Sequence, residues 1–456
     1  MTMFGVLILC LHISGTYIER LSLPPGPIGV PLLGFLPFLG SQPHKDIAKL
    51  SDKYGPLFTL QLGVHNTVIV NAWESAKDTL LNDCLLDRPK ESPFTLTDDS
   101  ISFMDDSGQV WREHRKFAQQ TFRDIGFGRE CMEDKVVNEI AYLTALIDET
   151  DGRAFDLQTL LTPSVSNNVS QLAFGHRMDF NDPERVFLDA LIDRASPLLS
   201  LLGVLAVSPL WLKSHQKTMD TNNKRDYIDG FLHEMEKRRQ TDPNTSFTVK
   251  KCSSNARAFF GAGSETTRTA VVWTVLLATK HKDLQKRLHQ EIDGVIGRDR
   301  SPRWADRLDM PYTQAFICEV FRWKPAVPLS LMRRASEDTY ILGHFIPKDS
   351  RVLVNIWAVH HDHKLYQNPE LFNPDRFLTN DGKNLIKTEA LIPFSMGKRN
   401  CVGETLARVE VFLYLVSLLQ RYTISAENEE LLSLEDVFGL TLQPKESVIL
   451  RFAKRL

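Results

Sequence analysis

Cysteine is scarce and scattered: six occur in 456 residues, at Cys10, Cys84, Cys131, Cys252, Cys318 and Cys401, with no Cys-x-x-Cys pair. That excludes a disulfide-stapled secreted fold, and five of the six read as reduced, mostly buried thiols. An excess of one sign of charge is also missing. With 54 Lys and Arg against 57 Asp and Glu, the formal net charge is −3. Nothing global recruits nucleic acid, no acidic tail signals disorder, and any charged docking surface must be local. Internal repeats and low-complexity blocks are absent. The opening apolar stretch, Met3 to Ile18, is uncharged but interrupted by His12, and it is shorter than the ~20 residues that span a bilayer comfortably. It also lacks the Arg-rich pattern of a mitochondrial presequence, the basic start of a secretory signal and a clear small-residue cleavage site. The expectation is an uncleaved membrane anchor at 1–20, with a cleaved signal peptide as the rival reading.

What is present is ordinary globular composition, 43% hydrophobic and 24% charged. Leu23-Pro24-Pro25-Gly26-Pro27 forms a stiff, extended hinge at 21–30, because prolines fix φ and remove donors. No later linker follows, so 31–456 reads as one domain. Residues 57–62 and 67–70 alternate as the strands of a hairpin about a glycine. Helical periodicity then dominates, with helices expected over 109–122, 131–150, 226–239, 253–280, 284–295, 313–323 and 403–420. Strand signals return at 351–355 and near the C-terminus, giving a mainly α class with a minor β portion.

The most informative run is Phe394-Ser395-Met396-Gly397-Lys398-Arg399-Asn400-Cys401-Val402-Gly403. It describes a loop delivering one cysteine to the start of a helix, where the dipole and free N–H groups stabilise a thiolate. Gly397 permits a tight turn, Gly403 lets a flat ligand approach the backbone, and Arg399 brings a cation near it. A lone cysteine before a helix is more often a small buried hydrophobe.

This run resembles, at every fixed position of FxxGxRxCxG, the cysteine-ligand loop of the cytochrome P450 family. The resemblance implies that Cys401 is the axial ligand of a haem iron, its thiolate favouring O–O cleavage. Three further stations are similar to the family and stand in its order. Glu319-Val320-Phe321-Arg322 with Phe372-Asn373-Pro374-Asp375-Arg376-Phe377 resembles the ExxR and FxPxRF elements, implying a buried structural triad of Glu319, Arg322 and Arg376. Ala262-Gly263-Ser264-Glu265-Thr266-Thr267 resembles the oxygen-activation groove, where Thr266 would bond dioxygen and Glu265 would relay protons; read without the resemblance, it is equally a small-residue packing face. Trp111-Arg112-Glu113-His114-Arg115 resembles WxxxR, implying that Trp111 and Arg115 bind a haem propionate, as would Arg399 and Arg333, with Arg334 an immediate rival of Arg333. Phe260, Ala262, Val327, Leu329 and Leu440 stand at positions similar to family substrate contacts.

The resemblance runs from the hinge to the C-terminus and is nearest in texture to the microsomal branch that includes animal drug- and steroid-oxidising enzymes. It implies a monooxygenase that inserts one atom of O2 into an apolar lipid, steroid or xenobiotic. Electrons would come from NADPH through cytochrome P450 reductase, with cytochrome b5 as an optional donor, on the cytosolic face of the endoplasmic reticulum membrane. Arg112, Lys116 and Lys398 are nominated to dock the reductase. Two alternatives stand beside it: a peroxide-rearranging relative, which often lacks the acid–threonine pair, and a haem-binding pseudoenzyme or incomplete gene product. The second arises from a departure. Between Leu212 and Asp226 relatives place a long helix and a loop, whereas here only 213–225 is available, too little at ~1.5 Å per residue. The second helix of the pocket roof is therefore expected to be shortened, by adaptation or by a faulty gene model. His360-His361-Asp362-His363 is metal-like in composition but stands at a similar His-rich turn of the family. The sequons at Asn168 and Asn244 are meaningless on a cytosolic body.

Overall fold

A computed structural model describes residues 19–90, 102–126, 130–183, 185–186, 225–430 and 432–455. The chain forms two compact units. One comprises the described parts of Met1–Ser92 with Val327–Leu371 and Thr388–Cys401; the other comprises those of Pro93–Ala326 with Phe372–Lys387 and Val402–Leu456.

The first unit is organised on a four-stranded sheet. Strands β1 (Leu57–Leu62) and β2 (His65–Val70) form the expected hairpin, closing at Gly63, whose φ of 61° suits a tight turn. β3 is Arg333–Arg334 and β4 is Arg351–Val354, and the order is β1-β2-β4-β3. β2 pairs in parallel with β4, from Thr67↔Arg351 to Val70↔Val354, and β3 pairs antiparallel with β4. Strand alternation sends Leu57, Val68, Val70, Val352 and Val354 into one cluster with Leu80, Leu85 and Ile392. Phe58, Leu60, Ile69 and Leu353 meet Ile47 on the other face. Burial on both faces replaces the simple alternation expected for the hairpin: Val68, Ile69 and Val70 are all buried, as are Val352, Leu353 and Val354. The Pro-rich stretch is no free-standing spacer: the Thr59 amide donates to the Pro25 carbonyl at 3.2 Å, and a Cβ on Gly26 would lie 1.9 Å from the Thr59 oxygen.

The second unit is helical. Its long helices are α1 (Gly108–Asp124), α2 (Glu130–Glu149), α3 (Leu157–Ala173), α4 (Tyr227–Arg239), α5 (Val249–Lys280), α6 (Lys282–Val295), α7 (Pro311–Trp323) and α8 (Glu404–Arg421). Most match the sequence expectation to within a few residues. Asp226 caps α4, its Oδ1 accepting from the Asp229 amide at 2.9 Å, and Thr248 caps α5. α5 is 32 residues long and packs against α3 and α8. α3 was not anticipated: it contains Pro163 and buries Ser164, Ser166, Asn167, Asn168 and Ser170. Strands β5 (Asp436–Phe438) and β6 (Leu442–Pro444) pair near the C-terminus. Among the described residues no helix is long and apolar enough to cross a membrane. The anchor expected at 1–20 and the shortened roof helix fall largely outside the described residues.

Candidate functional site

In the first unit, Cys401 is exposed at the end of its loop, its amide donating to the Phe394 carbonyl at 2.9 Å. α8 begins three residues later, at Glu404, with Gly403 as its cap. Two left-handed residues shape the loop, Ser395 at φ 61° and Gly397 at φ 72°. A Cβ at Gly397 would lie 2.4 Å from the Leu80 carbonyl oxygen, so only glycine fits this approach. The same short segment receives two of the candidate propionate cations. Arg333 donates from one guanidinium nitrogen to the Leu80 and Leu85 carbonyls at 3.4 and 3.3 Å, and Arg399 donates from Nε to the Leu86 carbonyl at 2.7 Å. Both arginines are buried. Arg334 is otherwise engaged, donating to Asp87 at 2.8 Å and pairing with Asp349. Sequence reasoning passed over the Leu80–Leu86 segment because it acts through carbonyls, which every residue has.

The His-rich turn has structural partners. His360 Nε2 accepts from the Ile392 amide at 2.9 Å, and His361 stacks on Trp357 with ring centroids 4.0 Å apart.

In the second unit, Glu319 and Arg322 are wholly buried and form a two-pronged pair, at 2.6 and 2.8 Å. Arg376 Nε and the Asn373 amide reach Glu319 Oε1 at 3.1 and 2.8 Å, which satisfies the carboxylate. Trp111 is buried and Arg115 half-buried, one turn apart on α1. Between them His114 lies stacked on Phe247 at 4.2 Å, and burial pushes its pKa down to about 4. On α5, Ala262 is exposed and Thr266 half-buried within a helix that is otherwise largely covered. A Cβ on Gly261 would meet nothing within 4 Å, whereas one on Gly263 would strike Val169 of α3 at 2.9 Å. Gly263 therefore serves packing, while Gly261 and Ala262 leave an open strip. The Thr266 hydroxyl donates to the Ala262 carbonyl at 2.7 Å, a back-bond to the residue one turn earlier. Glu265 is buried and accepts from Thr441 Oγ1 at 2.8 Å. Of the pocket candidates in this unit, Phe260 is buried against Phe174 and Leu440 is exposed; Val327 and Leu329, which belong to the first unit, are half-buried. Asn168, the first sequon, is enclosed in α3 and donates to the Tyr414 hydroxyl.

These residues suit haem. The first unit offers an accessible thiol ahead of a helix and two buried guanidinium groups, a soft ligand for iron and cations for propionates. The second offers a helix with an open small-residue strip beside a hydroxyl.

Known proteins agree. The family model for Cytochrome P450 matches residues 24–213 and 209–451. Cytochrome P450 1A1 of Felis catus is 33% identical over 93% of this chain and 90% of its own length. Cytochrome P450 2A5 of Mus musculus is 33% identical over 88% and 87%, and Cytochrome P450 2U1 of Homo sapiens 32% over 92% and 88%. Such matches across nearly the whole length make haem the cofactor and haem-thiolate monooxygenation the activity: the chain belongs to the cytochrome P450 family.

Proposed function

We propose that Cys401 is the thiolate ligand of the haem iron, that Arg333, Arg399, Trp111 and Arg115 hold its propionates, and that Glu265 and Thr266 deliver protons. The observation that carries this reading is the Cys401 loop, pinned through Gly397 to a segment whose carbonyls also hold Arg333 and Arg399. The engagement of Arg334 with Asp87 and Asp349 favours Arg333 as the propionate cation. Haem bound there supplies the oxygen-activating chemistry, by which one atom of dioxygen enters an apolar substrate and the other leaves as water. The chain's own part is to fix the ligand, neutralise two carboxylates and move protons. To relay a proton the Thr266 hydroxyl turns its hydrogen from the Ala262 carbonyl toward the site of oxygen activation, gives it there, and takes a replacement through an oxygen lone pair. Glu265 accepts from solvent, gives toward Thr266 and returns to carboxylate.

The electron donor is an NADPH–cytochrome P450 reductase, with cytochrome b5 as a second donor, at the endoplasmic reticulum membrane. Arg112 and Lys116, exposed one turn apart on α1, support an acidic partner. Lys398 is exposed but paired with Asp83 at 2.6 Å. The substrate is a small lipid, steroid or xenobiotic, to be identified by a spectral binding screen of those classes. The central assignment is tested by the carbon monoxide difference spectrum of the reduced protein. Wild type gives the thiolate band and Cys401→Ser loses both band and turnover, because a hydroxyl is a far poorer ligand at neutral pH. A serine variant with an unchanged spectrum overturns the assignment.

A further inference from the structure

We propose that Thr441 and Gln443 are positioning residues for proton delivery: they hold the Glu265 carboxylate by one oxygen and leave the other for proton exchange. The proposal rests on the reading of Glu265 as a proton relay and goes beyond it by saying what orients the relay.

A buried carboxylate is costly unless donors reach it. Glu265 lies in the covered part of α5 and receives two donors, Thr441 Oγ1 at 2.8 Å from the residue before β6 and Gln443 Nε2 at 3.3 Å from β6 itself. Gln443 Nε2 also reaches Thr441 Oγ1 at 3.3 Å, closing a three-membered cluster. Residues two apart on a strand project to the same face, so β6 and its leading residue present both donors together. The strand is itself fixed between them. Leu442 donates its amide to the Ala326 carbonyl at 2.9 Å and accepts at its own carbonyl from Trp273 Nε1 of α5 at 2.7 Å. Thr441 is fully buried, which excludes solvent as a substitute donor at its hydroxyl.

Both donors go to Oε1. Among the described residues Oε2 receives none, so it is the oxygen at which a proton from solvent is taken up and given on. The cluster thereby does two things. It restricts the carboxylate to one rotamer, and it stops Oε1 from competing for the incoming proton. Removing the Thr441 donor frees the carboxylate to rotate, and proton transfer then waits on its return.

The test uses the haem-loaded enzyme reconstituted with NADPH, reductase and phosphatidylcholine vesicles, which needs no identified substrate. The readouts are the share of oxygen reduced to hydrogen peroxide rather than water, the solvent deuterium isotope effect on oxygen consumption, and the urea midpoint of unfolding. Thr441→Val removes the donor at nearly constant volume. It should slow the proton-dependent branch on the order of 10-fold, less than the about 10²–10⁴-fold carried by a general acid–base group itself. Peroxide share and isotope effect should both rise. Thr441→Ser, which keeps a hydroxyl, should stay near wild type. Glu265→Gln should raise the peroxide share further, and Thr441→Val should add nothing to it in peroxide share, isotope effect or urea midpoint. If Thr441→Val loses the thiolate spectrum through misfolding, Gln443→Met carries the same expectation.

The failures are distinguishable. If Glu265→Gln uncouples the enzyme while Thr441→Val and Gln443→Met leave peroxide share and isotope effect at wild-type values, the relay stands and the positioning claim is overturned. Effects at residues 441 and 265 that simply add overturn it too. If Glu265→Gln changes nothing, the relay reading falls and takes this proposal with it.

Discussion

Gly397 concentrates the demands of the ligand loop in one residue. Its φ of 72° is left-handed, and its missing side chain admits the Leu80 carbonyl to a place a Cβ would fill. Alanine must therefore pay twice: about 1–3 kcal/mol for the backbone conformation, and more to push a backbone oxygen aside. The expected outcome for Gly397→Ala is a protein with wild-type far-ultraviolet helicity but a weakened or lost thiolate band, since the loop and not the helical unit is disturbed. A variant with a normal band would mean that the loop yields without moving Cys401. The glycine was legible in the sequence because the motif around it is so specific. Its partner at Leu80 was not, because a carbonyl leaves no signature in residue type.

At the scale of elements, amphipathic helices with polar faces were legible, and α1, α6 and α7 lie close to their expected limits. α3 was hidden because it violates the pattern twice, with a proline inside and a run of buried serines and asparagines. Tertiary partners rescue it: Ser164 and Asn168 meet the Tyr414 hydroxyl of α8 at 2.7 and 3.2 Å. Glu410, one turn before Tyr414, is fully buried, and its Oε1 has no partner among the described atoms. Burial raises its pKa from 4.5 to about 8. Folded Glu410 is thus neutral where the unfolded chain has already ionised. Its contribution to stability falls as pH rises from the unfolded value of 4.5 to the folded value of about 8, and is level beyond. Glu410→Gln cannot ionise. Its thermal midpoint should gain on wild type between about pH 5 and about pH 8, with most of the gain in place by neutrality. Parallel midpoints across that window would show that Glu410 does not titrate in the folded core.

For the whole molecule, chain length carries information that residue chemistry does not. Thr441 and Gln443 could not be paired with Glu265 from sequence, because only the fold brings positions 265 and 441 together. The departure between Leu212 and Asp226 is the reverse case, legible in sequence while its structure lies outside the described residues. The family match is consistent with it, falling into two segments that overlap at 209–213, where the short stretch begins. A roof helix covers apolar ligand surface, and each ~60 Å² of cover is worth roughly 1.5 kcal/mol, about tenfold in affinity. Without such a helix water would stand where dry surroundings favour productive turnover. Inserting the corresponding segment of the Mus musculus Cytochrome P450 2A5 between Leu212 and His215 should therefore tighten binding of apolar ligands by about tenfold or more and lower peroxide release, with the thiolate band unchanged. The band acts as the control, because neither the ligand loop nor the Glu319 triad lies in that stretch. A chimera that keeps the band but binds no more tightly would mean that the short connection already covers the pocket.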